Sequence, residues 1–87
     1  MVTPPQSDDI KREKRSLSLY GHRTSVALET PFWAVIDDYA RDQDMSLASL
    51  LATIDDGRIA AKSSLGLAAY LRVWALRQVQ NQLPNVQ

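Results

Sequence analysis

Cysteine is absent from the 87 residues and histidine occurs once. The first absence excludes a disulfide framework, a zinc ribbon and thiol chemistry. The second excludes a metal site built from several imidazoles, and no cofactor is expected. No apolar run approaches the roughly 18–20 residues that span a bilayer. The opening stretch, Met1 to Arg15, has no hydrophobic segment after its charges and does not read as a secretory signal. A cytoplasmic protein is therefore the expectation. Catalytic pairs are missing too. Asp37-Asp38 and Asp55-Asp56 are neighbours in sequence, so their side chains diverge on a helix, and no nucleophile stands with a base. No enzyme is expected.

What is present is one small domain of 45% apolar and 23% charged residues, with ten basic against ten acidic side chains. Chains of this size bury little surface alone, which favours association. The zero balance hides an asymmetry. Lys11, Arg12, Lys14, Arg15 and Arg23 face only Asp8, Asp9 and Glu13 in the first 23 residues, whereas the rest is mildly acidic. Residues 1–14, with Pro4-Pro5 and almost nothing to bury, read as a disordered basic arm. Such an arm suits a polyanion, because each neutralised phosphate releases counterions. It equally suits a solvated tail.

From Arg15 to Glu29 the pattern alternates. Thr24, Val26 and Leu28 fall on one face of a strand, and Arg23, Ser25 and Ala27 on the other. His22, beside Gly21, reads as a turn or arm residue. Thr30-Pro31 predicts a helix start, with Thr30 as cap and a stripe of Phe32, Val35, Ile36 and Tyr39. Trp33 stands beside that stripe, either at an interface or partly exposed. Ser46 predicts the next cap, Leu47, Leu50, Leu51 and Ile54 the next stripe, and Gly57 its end. Ser63 or Ser64 would then cap a third helix, from Leu65 to about Gln80. That helix is apolar on more than one face and must bury more than one, which a second copy would allow. Tyr70 and Trp74 are expected in the core. The divisions expected are a 1–14 arm, a 15–57 core, a 58–82 C-terminal helix extending a dimer core, and an 83–87 frayed tail.

A lone strand cannot satisfy its backbone groups. Either residues 16–20 fold back at Tyr20-Gly21-His22, or the strand at 23–29 pairs with its own copy about a two-fold axis.

The run HRTSVALETPFWAVIDDYARDQDMSLASLLATID resembles the ribbon-helix-helix DNA-binding family, of the Arc and MetJ type. The GHRTSVALE strand with its following aromatic pair and a C-terminal apolar helix is similar to one bacterial subgroup. The resemblance implies a mainly α fold with one short β-strand. It also implies an intertwined homodimer with an intermolecular antiparallel two-stranded ribbon and an additional C-terminal helix. It implies a transcriptional regulator whose ribbon enters the major groove of double-stranded DNA. Carried across, the base-contacting positions are Arg23, Ser25 and Ala27, with Ala27 departing from the usual polar residue. Phosphate contacts fall to Ser46, Leu47 and Ala48 at a helix N-terminus, with Lys14 and Arg15 adding attraction. Two other functions fit the same segments: an antitoxin with a toxin partner, and a dimerisation module that never touches DNA.

Overall fold

The computed structural model describes residues 2–83. A single 3-10 turn over Ser7–Ile10 leads into strand β1 (Arg12–Leu19), which pairs antiparallel with β2 (His22–Glu29). Helices α1 (Thr30–Asp42), α2 (Leu47–Ala60) and α3 (Leu67–Gln82) follow. The expectation of one strand is corrected to two, and the ribbon is completed within the chain. In its register Leu19 faces His22 and Arg12 faces Glu29. Residues 12–14, expected in a disordered arm, are the first turn-distal part of β1.

The hairpin closes through Tyr20 and Gly21, both at positive φ (54° and 79°). Two left-handed residues in a two-residue loop are the signature of a type I′ turn, whose twist matches that of the flanking strands. Glycine takes this conformation freely; a tyrosine does not. Tyr20 is held there by its hydroxyl, which bonds the Ala52 carbonyl oxygen at 2.9 Å and the Asp56 carboxylate. The turn is thus anchored to α2.

One face of the ribbon carries Leu17, Leu19, Val26 and Leu28 onto the helices, and Leu28 is completely buried. On α1 the buried residues are Trp33, Ile36 and Ala40, while Phe32, Val35 and Tyr39 are half-buried. The core-facing side is therefore rotated from the expected stripe, and Trp33 lies inside it. Its indole N–H donates to the Glu13 carbonyl oxygen at 2.8 Å. The Arg15 guanidinium stacks 4.4 Å from its ring centroid. Leu50, Leu51 and Ile54 from α2 and Leu71 and Ala75 from α3 complete the core. Tyr70 and Trp74 are half-buried against it, Trp74 edge-on to Tyr39 with 4.9 Å between ring centres.

Helix ends differ from expectation in instructive ways. Glu29, not Thr30, is the N-cap of α1, and its side chain makes no capping bond. The α1 C-terminus is a Schellman motif, with Asp44 at φ 55° and its N–H on the Arg41 carbonyl, and Met45 N–H on Ala40. The α2 end repeats it. Lys62 sits at φ 52°, its N–H on Ile59, with Ser63 N–H on Arg58. Gly57 is therefore not the stop; it lies inside α2, beside the Tyr70 hydroxyl. Helix α3 begins at Leu67 with Gly66 as N-cap, two residues later than expected, while Ser63 Oγ accepts from Leu65 N–H in the preceding turn. Of the expected tail 83–87, residues 84–87 lie outside the described residues.

Candidate nucleic-acid interface

The strand period places Arg12, Lys14, Ser16 and Ser18 of β1 on the face opposite the core, beside Ala27, Ser25 and Arg23 of β2. Cross-strand pairs are Lys14 with Ala27, Ser16 with Ser25 and Ser18 with Arg23. All but Ala27, which is half-buried, are exposed. Between the Arg12–Glu29 pair at its base and the turn at its tip, this face carries no carboxylate. Arg23 makes one weak bond, from Nη1 to Ser18 Oγ at 3.3 Å, and Ser16 and Ser25 hydroxyls lie 3.3 Å apart. The serine hydroxyls can donate or accept and the Arg23 guanidinium can only donate, and all of them are exposed.

The expected trio Arg23, Ser25 and Ala27 is thus brought together on one surface, and Lys14 joins it. Ser16 and Ser18 were missed as site residues. Their signal was the alternation of KRSLSL, which becomes decisive only once β1 is known to pair with β2. Arg15 does not share this surface. It points to the other face, where Nη1 and Nη2 reach the two Asp37 carboxylate oxygens at 2.8 and 3.0 Å and Nε reaches Glu13. The Asp37 bond, more than the one from Glu13, holds its proton still more tightly than an ordinary arginine's. Two carboxylates and an indole surround this guanidinium.

The ribbon base is fixed from α3. Arg72 grips Glu29 through bonds of 2.8 and 3.3 Å, and Arg12 adds a third at 3.3 Å. Arg72 foremost holds the Glu29 carboxyl well below the usual range, at about 2. At the tip, the Asp56 hydrogen bond pushes the Tyr20 phenol up to about 12.

Ser46 is the N-cap of α2, its Oγ accepting from Ser49 N–H at 3.1 Å. The backbone N–H groups of Leu47 and Ala48 in that first turn make no intrahelical bond, as in any helix. The N-terminus begins about 9 Å along the helix from Ala52, where the ribbon tip rests. Among the described residues no group of His, Cys, Asp and Glu is arranged to hold a metal ion, and no helix is long and apolar enough to cross a membrane.

The chain matches the family described as a ribbon-helix-helix domain over residues 12–79, which takes in the hairpin, α1, α2 and most of α3. It is a ribbon-helix-helix protein. The match extends beyond the strand and first two helices, so α3 is part of the ribbon-helix-helix domain in this chain. A solved structure of an uncharacterized protein from Bordetella pertussis Tohama I is similar, with a TM-score of 0.74 and 28% identity. The similarity covers 92% of this chain and 68% of that one. No curated protein matches the chain.

Proposed function

We propose that this ribbon-helix-helix protein is a homodimeric, sequence-reading DNA-binding regulator that inserts its hairpin ribbon into the major groove. The observation that carries the reading is the outer ribbon face: Lys14, Ser16, Ser18, Arg23 and Ser25, exposed, small or cationic, with no carboxylate among them. Two strands are about 5 Å apart, and the major groove is about 12 Å wide and admits such a ribbon with its side chains. Arg23 suits a bidentate bond to the O6 and N7 of guanine, and the serines suit base edges of either polarity. Ala27 offers a methyl to thymine. Lys14 supplies phosphate attraction. The Leu47 and Ala48 amides at the N-terminus of α2, where the helix dipole is positive, suit a phosphate, with Ser46 shaping the turn. Dimerisation doubles these contacts on a two-fold operator.

The test is enrichment of bound duplexes from a random pool, then titration of the best site at several salt concentrations. Binding should weaken with salt. Replacing both Arg23 and Ser25 by alanine should lower affinity for the selected site by about 5–150-fold, the equivalent of 1–3 kcal/mol for one bidentate base contact, and flatten its sequence preference. Unchanged affinity and preference in that double variant would sink the proposal.

A further inference from the structure

A hollow of about 210 Å³ opens between the three helices, walled by Tyr39 of α1, Thr53 of α2, and Tyr70 and Trp74 of α3. The buried Leu50 and Ile54 lie at its base. Its Tyr39 and Trp74 rings stand at 82° to each other, so a flat ring entering it can stack on one and present its edge to the other. An apolar cavity of about 150 Å³ holds benzene, so this one has room for a single ring. Gly57 completes the α2 side. Glycine inside a helix is less stable than alanine, and the helical backbone of α2 does not require it. A Cβ added there would stand 3.7 Å from the Tyr70 hydroxyl and take up space at the wall of the hollow.

The polar groups around it select the sign of the ligand. A second hollow, of about 180 Å³, shares Tyr70 and Trp74 with the first and is bounded by Arg77, one helical turn beyond Trp74 on the same face. Arg72 is engaged by Glu29, whereas Arg77 is exposed and has no ion pair among the described residues. Among the residues lining the two hollows, Arg77 carries the one full charge. Aromatic walls alone would also suit a cation, but a guanidinium at the rim and no carboxylate in the lining oppose one. The Tyr39 and Tyr70 hydroxyls and the Trp74 indole N–H donate to no atom among the described residues. A ligand that suits this set is flat and apolar at one end and a negatively charged acceptor at the other. A carboxylate meets the planar fork of a guanidinium with two parallel bonds.

We infer that the trough along Tyr39, Tyr70 and Trp74 binds a small aromatic carboxylate, its ring seated between the three helices and its carboxylate on Arg77. The site lies on the helices and uses none of the outer ribbon residues, so it stands or falls apart from the DNA reading.

Proton–nitrogen correlation spectra of the full chain, titrated with phenylacetate, benzyl alcohol and acetate, test it. The two tryptophans report on different places: the Trp33 indole N–H is bonded to the Glu13 carbonyl in the core, while that of Trp74 lines the trough. Phenylacetate should move the Trp74 indole signal and the Gly57 amide and leave the Trp33 signal in place. A ligand of this size should saturate the shift with a dissociation constant of about 0.1–1 mM. Benzyl alcohol, which keeps the ring without the charge, should bind about three- to tenfold more weakly, as expected when a rim-exposed charged bond is lost. Acetate should move neither signal at the same concentrations. Arg77→Gln should bring phenylacetate down to the level of benzyl alcohol. Gly57→Ala should fold at least as stably as the wild type and bind both ring compounds at least about fivefold more weakly, because its methyl occupies the ring's seat. No movement of the Trp74 signal at about 10 mM phenylacetate overturns the site. Equal binding of the alcohol and the acid, or an acid preference that survives Arg77→Gln, overturns the assignment of a carboxylate to Arg77. Undiminished binding to Gly57→Ala overturns the seat between the helices.

Discussion

Trp33 offers the sharpest test of how the ribbon is held to the helices. Its ring is 1% exposed, its N–H is bonded to the Glu13 carbonyl at 2.8 Å, and the Arg15 guanidinium lies 4.4 Å from its centre. Trp33→Ala removes three contributions. Loss of the buried aromatic volume costs about 3–5 kcal/mol. Loss of the stacked cation adds about 0.5–1 kcal/mol at this part-exposed position. The hydrogen bond adds about 0.5–1.5 kcal/mol. The partial overlap of these contributions puts the total near 4–6 kcal/mol. A domain of 87 residues has about 4–13 kcal/mol in all, so the variant should lose a large share of its stability. Trp33→Phe keeps most of the ring and loses the donor, and should cost about 1–3 kcal/mol. Urea unfolding followed by far-ultraviolet circular dichroism measures both, at one fixed protein concentration because association shifts apparent stability. A loss below about 2 kcal/mol for Trp33→Ala, with an unchanged denaturant slope, would refute the account of Trp33 as the joint between β1 and α1.

Other consequences follow from single contacts. Gly57→Ala should stabilise the protein by about 0.5–1 kcal/mol in the same unfolding experiment, because a methyl there meets only the Tyr70 hydroxyl, at an ordinary 3.7 Å, within a helix. Glu29 is held at about 2 in the folded chain, below its ordinary 4.5. Its contribution is therefore fully present above pH 4.5 and disappears as the pH falls through 2. Glu29→Gln should be less stable than the wild type at pH 7, and the difference in melting temperature should close on acidification. The Tyr20 phenol, raised to about 12 from 10, contributes below pH 10 and is lost as the pH rises through 12. Absorbance at 295 nm should show one tyrosine ionising late, and Tyr20→Phe should remove that late phase.

Local chemistry made much of this architecture legible. The period-two alternation from Thr24 to Leu28 specified which residues of β2 face outward, because successive strand side chains point to opposite faces. Pro31 marked the start of α1, and Ser46 is the cap that its hydroxyl chemistry suggested. The excess of apolar positions around α3 already implied an uncovered side. What lay beyond reach depended on contacts distant in sequence. A lone strand has two ways to find a partner, and only the pairing of Ser16 with Ser25 and Leu17 with Thr24 selected the hairpin. That choice rests on Tyr20 holding a left-handed turn through a bond to α2, 32 residues away. Arg15 and Lys14 are adjacent and equally basic in sequence. Their separation onto opposite faces, one gripped by Asp37 and the other exposed, is a product of the fold. Periodicity is a property of the chain and can be read from it. Which edge, which carboxylate and which helix a residue meets is set when distant segments pack, and there the tertiary structure alone decides.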